Sequence, residues 1–169
     1  MNPKIIILGP NSGIGKVIIA KLKKNFNNFK FINVVRKEPL NSDQIFWDYS
    51  SDLPECFQTA FLVINCARSD DYNYNIKFNK ILNSQLSQET YFINFSSNCV
   101  FAKPSNYMSK LIFKGDAYIR EKLLIEKISR NRLNNFILRP TIVTGESSWK
   151  EFKINTENIR PLPTRLNPR

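Results

Sequence analysis

The sequence contains no histidine. This absence excludes histidine as a general base and removes the usual imidazole metal sites. Cysteine is scarce as well, because only Cys56, Cys66 and Cys99 occur, and they lie in apolar surroundings without metal-site spacing. We therefore expect reduced core cysteines, a cytoplasmic protein and no bound metal ion.

Long apolar runs and acidic residues are also in short supply. The run in MNPKIIILGP is too short for a signal peptide, and no later segment approaches the length of a membrane span. The 14 acidic and 25 basic residues give a net charge of +11, which attracts phosphorylated cofactors and nucleotide-linked substrates as well as nucleic acid. The basic C-terminal stretch lacks interleaved stacking aromatics, so we expect neither a nucleic-acid partner nor a membrane.

Glycine is rare too, yet three of the five glycines fall in one turn, within IIILGPNSGIGKVIIA. A nucleotide triphosphate loop would need G-x-x-x-x-G-K-[ST]. Here Pro10 replaces its first glycine and Val17 its metal-binding hydroxyl, so an amide donor and a magnesium ligand are both missing. This spacing therefore disfavours a triphosphate.

The alternative is a dinucleotide turn between an apolar strand and a helix. Glycine permits the tight turn and the close approach of backbone to a pyrophosphate, whose charge a helix N-terminus favours. The residues expected to contact the cofactor in this turn are Gly9, Asn11, Ser12, Gly13, Ile14 and Gly15.

Strand-like and helical patterns alternate along the chain. Strands are predicted at residues 4–8, 31–35, 44–47, 61–65, 91–95 and 136–138, and helices at residues 15–26, 53–59, 74–88 and 116–130. Alternation of this kind predicts βαβ units. The expected fold is a Rossmann-type doubly wound parallel sheet in a three-layer α/β/α arrangement, over residues 1–148, followed by an irregular basic tail at 149–169.

In such a sheet the ligand lies at the carboxyl ends of the strands. Arg36 and Lys37 follow the second strand, where an acid would bind the 2′-hydroxyl of NAD(H) and a basic residue the 2′-phosphate of NADP(H). The pair favours NADP(H), although an ordinary solvated pair at a strand end remains the alternative.

Further residues follow the third and fourth strands. We expect them near the adenine or ribose of the cofactor, and they are Asp48, Tyr49, Cys66, Ala67 and Arg68. The small side chains at positions 66 and 67 leave room for close approach.

Candidate catalytic residues follow the fifth strand. Ser97 lies at its carboxyl end, and Tyr118 and Lys122 are four residues apart, hence on one face of a helix. An ammonium beside a phenol favours the phenolate, which suits proton exchange with an alcohol or carbonyl oxygen, and a serine hydroxyl can bind the same oxygen. A chance surface pair of Tyr and Lys is the alternative for this spacing.

In this order, the motifs resemble those of the extended branch of the short-chain dehydrogenase/reductases, which includes NAD(P)-dependent epimerases, dehydratases and reductases of nucleotide-linked sugars. The similar stretches are SSNCVF, YIREK and ILRPTIVTGE, together with Asn75 in NYNIKFNKIL. The resemblance implies that Lys122 also binds the nicotinamide ribose, that Asn75 supports this lysine through water and that Pro140 lies at the cofactor. Asn98 after Ser97 favours reduction or epimerisation over dehydration.

The resemblance also has departures. The glycine spacing G-x-x-x-G-x-G is commoner in the single-domain branch, and extended members continue into a substrate domain that this sequence does not reach. The main expectation is an NAD(P)-dependent oxidoreductase or epimerase acting on a nucleotide-sugar. The alternatives are a non-catalytic NADP(H) sensor or partner protein, and a pocket that a partner chain completes. The family also implies a homodimer, formed through the helices that carry Asn75 and Tyr118.

Overall fold

A computed structural model describes residues 2–101 and 116–140. The strands are β1 (Lys4–Leu8), β2 (Lys30–Val35), β3 (Gln44–Phe46), β4 (Ala60–Asn65), β5 (Tyr91–Phe95) and β6 (Asn135–Leu138), and the α-helices are α1 (Gly13–Asn25), α2 (Tyr72–Gln85) and α3 (Asp116–Ser129). Short 3-10 helices cover Glu55–Thr59 and Asn98–Phe101. The predicted domain boundary at residue 148 and the predicted tail at 149–169 lie outside the described residues.

The six strands form one parallel sheet in the order β3-β2-β1-β4-β5-β6. This order confirms the predicted Rossmann-type doubly wound sheet. The chain runs outward from β1 to β3, returns to the centre and then runs outward on the other side from β4 to β6. The loops that follow β1 and β4 therefore meet at the point where the order reverses, where such sheets bind their ligands.

Both faces of the sheet carry apolar side chains because the central strands are covered on each side. The segment Ile5–Leu8 is buried throughout, as expected for a central parallel strand. On one face, Ile18 and Leu22 of α1 pack against a cluster with Ile5 and Ile7. On the other face, buried side chains of α2 join Ile6, Leu8 and the neighbouring strands in the larger cluster. These two clusters produce the predicted three layers.

Helix boundaries differ from the predicted ones because of capping. The helix α2 begins at Tyr72, two residues before the predicted start, since the Asp71 side chain accepts a hydrogen bond from the Tyr74 amide. It ends at Gln85 instead of residue 88. The buried Arg132 guanidinium donates to the carbonyls of Leu86 (3.0 Å) and Thr90 (3.3 Å), which provides partners for carbonyls beyond the helix end.

The predicted helix at 53–59 is the 3-10 helix Glu55–Thr59, which follows Pro54. The 3-10 helix Asn98–Phe101, directly after β5, was not predicted. Cys56 and Cys66 have free thiols and pack at the edges of the apolar clusters, while the Cys99 side chain is not among the described ones. Among the described residues, no helix is long and apolar enough to cross a bilayer.

Candidate active site

The glycine turn after β1 packs directly on the loop after β4. Gly9 has a φ of +69°, and a Cβ built on it would lie 2.7 Å from the Cα of Ala67. A Cβ on Gly15 would collide with the Gly9 carbonyl oxygen. Both positions therefore require glycine for the turn to close, and this explains why so much of the glycine in the chain is placed here.

The start of α1 has backbone amides available for an anion. The Ser12 side chain caps the helix by accepting from the Gly15 amide at 3.0 Å and donating to the Gly9 carbonyl at 2.8 Å. First-turn N–H groups have no acceptor within the helix, and those of Gly13 and Ile14 have no protein acceptor among the described residues. These amides and the positive end of the helix dipole are a donor set that a phosphate would fit. Asn11 is exposed beside it.

The end of β2 is occupied by a cation and two tyrosines. The Arg36 guanidinium carbon lies 5.8 Å from the ring centroids of both Tyr49 and Tyr74, within cation–π range. Tyr49 is buried, and its hydroxyl donates to the Val34 carbonyl at 3.3 Å. Burial, opposed by a hydrogen bond to the Gly9 backbone, raises the pKa of Tyr49 to about 12. Tyr49 therefore remains a neutral phenol that packs under Arg36, while Lys37 is exposed.

The Asp48 carboxylate stabilises a local turn. Its oxygens accept from the amide and hydroxyl of Ser50 (2.9 and 2.6 Å) and from the amide and hydroxyl of Ser51 (3.2 and 2.9 Å). The hydrogen bonds from Ser50 and then Ser51 hold the pKa of Asp48 well below its ordinary value. The Asp48 carbonyl accepts from the Tyr74 hydroxyl, so this turn is fastened to α2. Tyr49, which follows Asp48 in the chain, has a φ of +65°, which is rare for a side chain of this size.

The loop after β4 contacts both the glycine turn and α3. Cys66 donates its amide to the Leu8 carbonyl at 3.0 Å, and burial raises the pKa of its thiol to about 12. The next residue, Ala67, lies against Gly9. The Arg68 guanidinium carbon is 5.0 Å from the Tyr118 ring centroid. Residues predicted at separate points of the chain are thus brought to one place.

Asn75 fixes the same loop from α2. Its side chain accepts from the Ser69 amide at 2.8 Å and donates to the Ser69 carbonyl at 2.7 Å. Its own carbonyl accepts from the Asn79 side chain at 2.8 Å. Asn75 therefore orders the segment that presents Arg68. The expected support of Lys122 through water remains a prediction.

Lys122 extends from α3 to the carboxyl end of β5. Its amine donates to the Phe95 carbonyl at 3.0 Å and lies 5.7 Å from the Tyr118 ring centroid. Burial lowers the pKa of Lys122 to about 8, and the charge of Glu121 partly opposes this effect. Ser97, which is buried, follows the end of β5 by two residues. Tyr118 and Lys122 are thus neighbours on the helix face that points to this strand end.

Pro140 lies beside the serine segment through the backbone. The Asn98 amide donates to the Pro140 carbonyl at 3.1 Å, and the Ser96 amide donates to the Leu138 carbonyl at 2.8 Å. The ends of β5 and β6 are therefore joined one residue either side of Ser97.

Three sets of polar contacts near the site, each with a buried side chain, were not predicted from the sequence. Asn65, Asn79 and Asn94 hydrogen-bond to one another at 3.0 to 3.3 Å behind the strand ends. Glu126 forms a two-point ion pair with Arg139 at 2.8 and 2.7 Å. The third set is Glu121 with Arg68. The only sequence signal for the acids was their position among apolar residues of α3.

No family model matches the chain, and no curated protein sequence does. Solved structures do match. Gre2 from Candida albicans gives a TM-score of 0.59 at 12% identity, over 85% of this chain and 58% of that one, and it has also been solved with NADPH. The chain shares the Rossmann-type fold of this protein. At such identity the likeness concerns the fold alone.

Two further matches have the same fold. A nucleoside-diphosphate sugar epimerase from Corynebacterium glutamicum gives a TM-score of 0.59 at 16% identity, over 82% of this chain and 34% of that one. WbmH from Bordetella bronchiseptica, solved with NAD+, gives a TM-score of 0.51 at 15% identity, over 82% of this chain and 57% of that one. The chain therefore spans between about a third and three fifths of these structures.

Proposed function

We propose that this chain is an NAD(P)-dependent oxidoreductase or epimerase of the short-chain dehydrogenase/reductase type. The observation that carries the proposal is the loop after β4, in which Ala67 packs on the glycine turn and Arg68 lies over Tyr118. A phosphate-binding helix start and a Tyr-Lys pair are thereby held at one edge of the sheet. Solved structures with this fold include one bound to NADPH and one bound to NAD+.

Each residue then has a defined task. The amides of Gly13 and Ile14 bind the diphosphate, which their donor set fits. The nicotinamide group, when bound, supplies or accepts a hydride. Tyr118 exchanges a proton with the substrate oxygen, Lys122 favours the phenolate and orients the ribose, and Ser97 hydrogen-bonds the same oxygen as charge develops on it.

We assign NADP(H) as the preferred cofactor because of Arg36. Its guanidinium lies over two neighbouring tyrosine rings at the end of β2, where a 2′-phosphate would pair with it. The exposed Lys37 adds a second positive charge. The turn at Asp48 helps to position Tyr74, because the Asp48 carbonyl accepts a hydrogen bond from the Tyr74 hydroxyl.

The substrate we propose is a nucleotide-linked sugar that is reduced or epimerised. One neighbour in fold is a nucleoside-diphosphate sugar epimerase, and the net charge of +11 suits a diphosphate-bearing substrate. We further propose a cytoplasmic homodimer that associates through α2 and α3.

A Tyr118→Phe variant tests the assignment. It keeps the ring and loses the proton, so NADPH binding should persist while turnover of a keto-sugar nucleotide falls by at least about a hundredfold. Tyr72→Phe, on an exposed tyrosine of α2, is the matched control and should keep full turnover. Unchanged turnover in Tyr118→Phe would reject the catalytic role.

A second candidate rests on the glycine turn and the start of α1 alone, since a cofactor can bind there without any catalysis. In this alternative the chain is a cofactor-binding sensor or partner protein, with tight NADPH binding and no turnover. Titration with NADPH, followed by absorbance measurements against a panel of keto-sugar nucleotides, separates the two. If turnover requires added partner protein, the pocket is completed by another chain.

A further inference from the structure

The contacts of Arg68 could not be predicted from the glycine turn or from the spacing of Tyr118 and Lys122. Its guanidinium carbon lies 5.0 Å from the Tyr118 ring centroid, and its Nε lies 3.6 Å from Oε1 of Glu121. The side chain is 44% exposed, whereas that of Glu121 is 4% exposed. Arg68 therefore bridges a buried carboxylate and a phenol ring.

The buried carboxylate of Glu121 stabilises this position of Arg68. Its Oε1 is buried and makes no hydrogen bond in the described part of the chain, so the ion pair with Arg68 is its main compensation there. A buried carboxylate without a counter-charge is costly. Glu121 therefore holds Arg68 over the ring, while Asn75 orders the loop from the other side through Ser69.

Among the described residues, α3 and the loop after β4 both contribute charged side chains around Tyr118. The helix α3 contributes Glu121 and Lys122, and the loop after β4 contributes Arg68 and, at 4.0 Å from Arg68, the fully exposed Asp70. The neighbouring α2 presents only exposed lysines at 77 and 80, and Asn98–Phe101 contains no acidic or basic residue. Two cations, at 5.0 and 5.7 Å, thus lie near the ring.

We propose that Arg68 is a positioning residue for Tyr118: anchored by Glu121, it holds the ring in place and, together with Lys122, favours the phenolate. A guanidinium over a ring face attracts a phenolate more strongly than a phenol, because Coulomb attraction adds to the cation–π interaction. The inference rests on the proposed function only in assigning Tyr118 as the proton carrier. The ionisation of Tyr118 itself can be measured without turnover.

The test compares the titration of Tyr118 in the full chain with its titration in Arg68 variants. Tyrosinate absorbance, or NMR of ring-labelled tyrosine, follows the titration. The signal of Tyr118 is isolated by subtracting the curve of the same chain with Tyr118→Phe. Arg68→Met keeps the packing of the stem and removes the charge. In this variant the titration midpoint of Tyr118 should move to higher pH by about one pH unit, because the guanidinium is partly exposed. Arg68→Gln should behave alike, and Arg68→Lys should recover part of the shift.

Asp70→Asn is the matched control, and it should leave the midpoint unchanged because its exposed charge is screened. An Arg68→Met midpoint equal to that of the unmodified chain, with only a lowered melting temperature, would overturn the proposal and leave Arg68 as a structural tie. The proposed function fails separately, if Tyr118→Phe retains turnover. The basic limb of the kcat profile should shift with the midpoint if both proposals are right.

Discussion

The amine of Lys122 donates a 3.0 Å hydrogen bond to the carbonyl of Phe95, the last residue of β5. Through this contact α3 presents its Tyr-Lys face to the strand end that precedes Ser97. The amine is buried, and burial lowers its pKa to about 8. A buried ammonium in this position therefore costs stability.

The cost at Lys122 predicts a pH-dependent stability. Below pH 8 the lysine is protonated in both the folded and unfolded chain, so the full cost of burying the charge, roughly 3 kcal/mol, is present. As the pH rises from 8 towards the ordinary value of 10.5, the folded chain loses the proton first and the cost disappears. Lys122→Met should therefore raise the free energy of unfolding at pH 7 by up to about 3 kcal/mol, and by little above pH 10.

Denaturant unfolding at both pH values measures this difference. Lys127→Met, on an exposed lysine of the same helix, should change stability little at either pH. A Lys122→Met variant that is less stable at pH 7 would show that the Phe95 hydrogen bond outweighs the burial cost.

The glycine turn predicts a position-specific effect of alanine. Gly9→Ala places a side chain at a φ of +69° and 2.7 Å from the Ala67 backbone, so it should lower the free energy of unfolding by about 2 to 4 kcal/mol. NADPH binding should weaken with it. Gly13→Ala, at the exposed start of α1, should instead be neutral or stabilise the fold by up to about 1 kcal/mol. Equal thermal stabilities for the two variants would contradict the close packing of Gly9 on Ala67.

Arg36 predicts the cofactor preference. If its guanidinium pairs with the 2′-phosphate, Arg36→Ala should weaken NADPH binding by about ten- to a hundredfold, the usual worth of a charged hydrogen bond. NADH affinity should stay the same, because NADH has no phosphate at this position. Fluorescence titration with both cofactors measures the ratio, and Lys24→Ala, an exposed lysine near the end of α1, is the control. A parent chain that prefers NADH would remove the basis for this assignment.

Sequence patterns predicted most of the fold because they act locally. Apolar runs located all six strands to within a residue or two, and the confirmed sheet follows from their alternation with helices. Helix ends were less accurate: Asp71 as a cap and Arg132 as a partner of loop carbonyls moved both ends of α2. The second effect joins residues that are distant in sequence, so no local pattern reveals it.

By itself, the sequence determined where a tight turn must form and which residues follow each strand, because glycine content and side-chain periodicity are properties of short segments. Only the tertiary structure decided the direction of the charged side chains. Arg68 was expected at the cofactor, which stays a prediction; in the fold it lies over Tyr118, where its charge compensates the buried carboxylate of Glu121 on α3. Such pairings depend on burial and on distances across the sheet edge, which exist only once the chain has folded.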